Sequence, residues 1–279
     1  MSLMNYTAHK EATERAERAK EALQCCKICP KDCGVDRTAG EKGVCNLDDS
    51  VHCFREMLHW GEESELTPSH QIYFSGCNLR CEFCTVAEWN EHTSSAAEMD
   101  VEGLKRKIAE RKMQGARNIN LLGGEPTVSL HGIIELLAEL DAATRVVLNS
   151  NMYYNSIVDE LLSGLIDIYL ADFKCGNPDC AGAILGAVDY VETAKKNILR
   201  ARDNADVIVR HVILPGHTDC CLKPVLGWLA RECSEVKLSL RGDYVPGAEV
   251  VSAPKQYLDE KDFDNANKMA EQMGLNLVT

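Results

Sequence analysis

The chain has 279 residues, of which 45% are apolar and 26% charged, and it carries a formal net charge of −13. These are ordinary globular values, and the length accommodates one α/β barrel-type domain of about 200–250 residues plus a small extension. No basic stripe is present to neutralise phosphates, which argues against general nucleic-acid binding. There is no apolar leader and no run of about 18 apolar residues, so no membrane span is expected and the cytoplasm is the default location.

In chain order, residues 9–24 read as a charged helix with Glu14 and Arg18 at i,i+4 spacing. Residues 25–53 follow, rich in Cys, Gly and Lys, and read as a small loop-built module ending near residue 61. A linker is expected at 62–69. From residue 70 to the end, strand candidates at 71–76, 118–122, 145–149, 167–171, 206–214 and 236–240 alternate with helical segments at 100–114, 130–141, 155–163, 190–204 and 222–232. A last helix is expected at 258–273. Val101, Leu104 and Ile108 share one helical face; Ile133, Leu136, Leu137 and Leu140 share another. Six strand–helix units imply a parallel sheet with right-handed crossovers, and hence a partial (β/α)6 TIM-like barrel of the α/β class. In such folds chemistry collects on loops leaving the C-terminal ends of strands.

Fourteen cysteines stand out. Without a secretion signal, that density points to metal or redox chemistry rather than disulfides. The sequence SGCNLRCEFC at 75–84 places Cys77, Cys81 and Cys84 directly after the first barrel strand. Three thiols cannot pair off, and a tetrahedral structural zinc would want a fourth ligand. A short loop can wrap three corners of an iron–sulfur cubane, leaving one iron open. In the N-terminal module Cys26, Cys29, Cys33 and Cys45 have the best spacing for a second, closed site. Zinc and a second iron–sulfur cluster both accept four thiolates, and zinc is preferred because small C-x2-C loops with a distant fourth cysteine are common there. Cys175, Cys180, Cys220 and Cys221 fall on adjacent strand-end loops and could form another site, but they are read as small buried hydrophobes. His211 is read as hydrogen-bonded core, and His217 as near the rim of the site. The basic run from Lys105 to Lys112 is read as a solvated helix face.

The C-x3-C-x2-C spacing after a first strand, with Phe83 before the last cysteine, resembles the signature of the radical S-adenosylmethionine superfamily. So does Gly123, Gly124, Glu125 and Pro126 after the second strand. The stretches IDIYLADFK, YVETAKKNILRA, VIVRHVILPGHTD and LSLRGDYVPG are similar to segments of pyruvate formate-lyase activating enzyme-related proteins. The resemblance implies a 4Fe-4S cluster on Cys77, Cys81 and Cys84, with S-adenosylmethionine chelating the open iron. It implies reductive cleavage to a 5′-deoxyadenosyl radical that abstracts hydrogen from a substrate, most plausibly a protein or peptide. Cofactor contacts are implied at Phe83, Gly123, Gly124, Glu125, Asn149, Asn151, Asp172 and Lys174, and a low-potential electron donor of flavodoxin or ferredoxin type is the implied partner. The same chemistry on a small metabolite, and a non-catalytic iron–sulfur carrier or sensor, are the alternatives. Thr85 and Val86, Cys175, and the pair Cys220 and Cys221 depart from the family pattern, so no particular substrate carries over.

Overall fold

Runs of β-branched and large apolar residues form short strands covered on both faces, and segments of helical period lie between them. The computed structural model describes residues 3–278. They divide into two units, residues 3–78 with 86–169, and 79–85 with 170–278.

The first unit holds α1 (Leu3–Lys10), α2 (Ala12–Glu21), β1 (His52–His59), β2 (Ser69–Phe74), α3 (Ala87–Glu91), β3 (Ala97–Glu98) and α4 (Val101–Met113). It continues with β4 (Ile119–Gly123), α5 (Leu130–Ala138), β5 (Val146–Ser150) and α6 (Ser156–Leu162). Its strands run in the order β3-β1-β2-β4-β5. β2, β4 and β5 are parallel, whereas β1 is antiparallel to both β2 and β3. The parallel strands are buried on both faces, as crossover helices require. Seven of the nine residues of α5 are buried, and α2 packs against it. On α5, Gly132 makes room for the segment entering β1, since a Cβ there would stand 2.7 Å from Val51.

β6 (Ile168–Asp172) is cut by the boundary between the units. The second unit adds α7 (Pro178–Leu185), α8 (Tyr190–Asn204), β7 (Asp206–Val212), α9 (Lys223–Glu232), β8 (Lys237–Arg241), α10 (Glu260–Gln272) and β9 (Asn276–Leu277). β7, β8 and β9 are parallel neighbours.

Three expectations change. The 62–69 segment is no exposed linker, because Glu63 and Leu66 are fully buried and β2 already begins at Ser69. The charged N-terminal helix breaks at Glu11 into α1 and α2, and Arg18 pairs with Glu160 of α6 instead of only lying beside Glu14. β1 and α7 form where no element was expected.

Candidate active site and metal centres

The loop leaving β2 turns at Gly76, whose φ of +86° favours glycine and whose absent Cβ makes room for Leu47 and the Cys45 carbonyl. The N-terminal module therefore packs directly behind Cys77. Across from this turn, Gly124 N–H donates to the Phe74 carbonyl and Glu125 N–H to the Gly76 carbonyl, both at 2.8 Å. A Cβ on Gly124 would lie 2.1 Å from the Gly76 oxygen and 2.1 Å from Asn90 Oδ1, so the Gly-Gly turn is a requirement of close backbone approach.

Glu125 is fully buried. Its Oε1 accepts from Thr127 N (3.1 Å), Thr127 Oγ1 (2.7 Å) and Ser150 Oγ (2.8 Å), and its Oε2 from Asn151 N (2.8 Å). The carboxylate thus joins the loop after β4 to the loop after β5. Burial pushes its pKa up and these donors oppose the shift. Asn151 continues the chain of contacts: its Nδ2 donates to Asn78 Oδ1 at 2.9 Å and lies 3.8 Å from the Cys77 sulfur. Asn149 is half-buried at the end of β5. Asn78 also reaches the Cys29 sulfur, so Cys77 and the N-terminal cysteines share one polar side-chain network.

In the N-terminal module Cys26, Cys29 and Cys45 are buried and Cys33 is half-buried. An ideal Cβ on Gly43 would sit 3.3 Å from the Cys33 sulfur and 3.5 Å from that of Cys45. Burial raises the Cys29 thiol to about 11, while the N–H of Lys31 donates to it; burial likewise raises Cys45, opposed by Arg37 and by the N–H of Leu47. The fold brings these four thiols close enough for each of Cys29 and Cys45 to feel the charge of its neighbours.

In the second unit, Arg80 N–H and Glu82 N–H donate to the Leu185 and Ile184 carbonyls at the end of α7. The Glu82 carboxylate accepts from three successive backbone N–H groups, Val251 (3.0 Å), Ser252 (2.8 Å) and Ala253 (2.7 Å). Phe83 rests against Tyr244 with ring centroids 5.6 Å apart. The segment carrying Cys81 and Cys84 is held on both sides. Burial pushes the Cys81 thiol up to about 12, with Lys174 opposing and Cys84 reinforcing. Asp172 and Lys174, at the end of β6, form an ion pair whose side chains are only 16% and 17% exposed, so the pair is not a surface one. Tyr190 fixes this turn by accepting from Lys174 N–H (2.9 Å) and donating to the Asp172 carbonyl (2.8 Å). His211 is core, as read, with Nδ1 bonded to the Phe173 carbonyl at 2.6 Å.

Cys175 and Cys221 are buried, but Cys180 and Cys220 are half-exposed and gather around His217, so they are not simple core thiols. The sequence offers Cys180, Cys220 and Cys221 as a possible further site before setting them aside as buried hydrophobes; the member it does not attach to them is His217, three residues before Cys220.

The class the fold defines is an α/β protein with a mostly parallel sheet, whose strand-end loops carry the three-thiol motif and the Gly-Gly-Glu turn. The Radical SAM superfamily model matches residues 72–229, more than half of the chain, and the chain belongs to that superfamily. It is 32% identical over 277 residues to "Uncharacterized protein MJ0674" of Methanocaldococcus jannaschii, covering 95% of this chain and 79% of that protein. It is 28% identical over 167 residues to the pyruvate formate-lyase-activating enzyme of Streptococcus mutans serotype c, covering 53% of this chain and 60% of the relative. Among solved structures, Streptococcus suis SuiB bound to precursor peptide SuiA superposes with a TM-score of 0.56 at 17% identity. The match covers 72% of this chain and 46% of SuiB. That likeness shows the fold, the partial barrel of radical SAM proteins, and the chain spans less than half the length of SuiB.

The superfamily uses a 4Fe-4S cluster and S-adenosylmethionine. The residues fit both groups. Three thiols fall in one short loop, as a three-cornered cubane site needs. Asp172 Oδ1 and His211 Nε2 are buried without a hydrogen-bond partner among the described residues, beside Lys174.

Proposed function

We propose that the chain abstracts a hydrogen atom from a protein or peptide, as an activase-like radical enzyme, with Cys77, Cys81 and Cys84 holding the cluster. The observation that carries the reading is the 75–84 loop, whose two halves are each fixed by the fold. Cys77 is backed by Asn151 and the Gly76 turn, and the Cys81–Cys84 segment by the Glu82 clamp. When bound, cluster and cofactor together supply a hydrogen-abstracting radical after one-electron reduction, for which a flavodoxin- or ferredoxin-type donor is the fitting partner. The chain's own residues position and shield it. Gly123 and Gly124 let the loop after β4 close tightly on the loop after β2, which shapes the place for the methionine end of the cofactor. Asp172 and Lys174 offer a buried charged pair to its polar groups, and Phe83 walls off water next to Cys84. Glu125, already holding four donors, orients Asn151 and Ser150. The activating-enzyme relative, and a fold neighbour whose structure holds a precursor peptide, support a protein or peptide substrate.

Anaerobic reconstitution of the Cys77→Ala/Cys81→Ala/Cys84→Ala variant should lose the cluster and all reductant-dependent release of 5′-deoxyadenosine. Unchanged release would end the radical assignment of these thiols. Lys174→Ala should keep iron and bind S-adenosylmethionine more weakly. Deuterium transfer into 5′-deoxyadenosine from a labelled protein fraction supports the substrate class, and transfer from the small-molecule fraction alone overturns it.

A further inference from the structure

The second unit contains a cluster of metal-ligating side chains that the radical chemistry does not use. The loop after β6 supplies Cys180, in the first turn of α7, and the loop after β7 supplies His217, Cys220 and Cys221. The Nδ1 of His217 lies 3.6 Å from Cys180 Sγ, 3.3 Å from Cys220 Sγ and 3.9 Å from Cys221 Sγ. All four ligand atoms lie within 4.8 Å of one another.

A tetrahedral zinc ion with Zn–S near 2.3 Å and Zn–N near 2.05 Å separates its ligands by about 3.6 Å (S to N) and about 3.8 Å (S to S). The three sulfur–nitrogen distances bracket the first of these. The spacing is that of ligands around one ion. A cubane spreads its thiolates over separate irons and needs a wider set.

Local structure is shaped to make the gathering. Residues Thr218–Leu222 form a π-turn, a rare conformation that recurs at functional sites, and it brings residues 217, 220 and 221 to one side. Gly176 lets the other loop close onto it, since a Cβ there would stand 2.4 Å from the Cys221 carbonyl oxygen. The Asn177 side chain accepts from the N–H groups of Asp179 and Cys180 and so sets where Cys180 begins α7. Cys175 packs behind as a buried free thiol, hydrogen-bonded to the Cys221 side chain. Three sulfurs and an imidazole crowded together, with two of the three cysteines partly open to solvent, make a poor apolar contact and a good cation site.

We propose that Cys180, His217, Cys220 and Cys221 bind one zinc ion, a closed Cys3His site that staples the loops after β6 and β7. Four protein ligands leave no open position, which makes the site structural. Binding releases the thiol protons and ties down the loop whose preceding residues are Asp172 and Lys174.

The test uses the full-length chain, stripped of metal with a chelator under reducing, anaerobic conditions, in the parent and in Cys180→Ala/Cys220→Ala and His217→Ala variants. Cys180 and Cys220 are half-exposed, so their truncation leaves no cavity, and far-UV circular dichroism of the metal-free proteins checks folding. Titration with Co2+ should give the parent one more equivalent than either variant. The lost equivalent should carry the thiolate-to-cobalt charge-transfer band and the intense visible bands of tetrahedral cobalt. Zn2+ should displace that cobalt one for one. Equal metal equivalents in parent and variants overturn the site, as does cobalt without tetrahedral bands. If anaerobic reconstitution with iron and sulfide shows the variants short of iron rather than of zinc, the mononuclear zinc assignment is overturned.

Discussion

Glu125→Gln separates two roles for the buried carboxylate: a direct contact to the cofactor, and a joint between loops. Gln keeps the shape but changes one acceptor oxygen into a donor NH2. If its oxygen takes the place of Oε1, the NH2 meets the Asn151 N–H at a 2.8 Å separation, donor against donor; if it flips, three donors from Thr127 and Ser150 face it instead. The better orientation loses a hydrogen bond to a charged group, about 1.5–3 kcal/mol, and strands a buried N–H, about 1–3 kcal/mol. The sum, on the order of 3–5 kcal/mol, lowers the folding equilibrium by at least a hundredfold and is a large share of a domain's stability. Urea unfolding under anaerobic conditions should show a lower midpoint at unchanged slope. Asn151 also touches Cys77, so iron should leave the variant faster on chelator challenge. A variant within about 0.5 kcal/mol of the parent, with weaker S-adenosylmethionine binding, would refute the joint and restore the direct contact.

Glu82→Ala frees three backbone donors of 251–253 at once, so chelator should strip iron from it faster, with little change in unfolding midpoint; an unchanged stripping rate would show that the clamp is idle. Burial holds His131 down to about 4, below its unfolded value near 6.5, against the Asp49 carbonyl at 2.9 Å. A depressed histidine contributes stability that is present above about 6.5 and lost as pH falls towards 4, roughly 3 kcal/mol across the window. His131→Gln should flatten that part of the stability–pH curve, which urea titrations at several pH values would read.

The barrel strands were legible to within two residues, because an apolar run flanked by turn formers needs no tertiary information. Helix 190–204 was read with the bounds it has. β1 was not: along HCFREMLH nearly every residue is half-buried, so the strand shows neither a clean alternation nor an apolar run. α7 carried Asn177 and Pro178 at its start and Gly186 at its end, a start-and-stop pattern that outweighs its short length. The thiols of 75–84 could be read because they are contiguous. The Glu125 joint could not, since Ser150 and Asn151 reach Glu125 only once the strands between them are in register. Cys180, Cys220 and Cys221 were legible as a possible site, but their gathering around His217 shows only in the folded chain.

The N-terminal module poses the last question, whether its four thiols hold a metal and which one. Residues 25–53 carry few aliphatic side chains, and the order they have comes from a buried Arg37 bonded to the Asp48 and Val128 carbonyls and from turns at Asp32 and Gly34. That framework brings the sulfurs of Cys33 and Cys45 to Gly43, with N–H donors from Lys31 and Leu47 two residues after Cys29 and Cys45. Such donors stabilise thiolates in a closed site, which suits a structural ion. Zinc should therefore remain in the Cys77→Ala/Cys81→Ala/Cys84→Ala variant. Adding Cys26→Ser should remove one equivalent of zinc and lower the unfolding midpoint, while adding Cys180→Ala instead should remove a different equivalent. Gly43→Ala, whose methyl would crowd two sulfurs at 3.3 and 3.5 Å, should weaken zinc retention at the first site and leave the second unchanged. Residual iron and sulfide in the triple variant, lost with Cys26→Ser, would refute zinc. A second cluster linked to Cys77 through Asn78 and Asn151 would then be the better account of why these side chains connect the two sets of thiols.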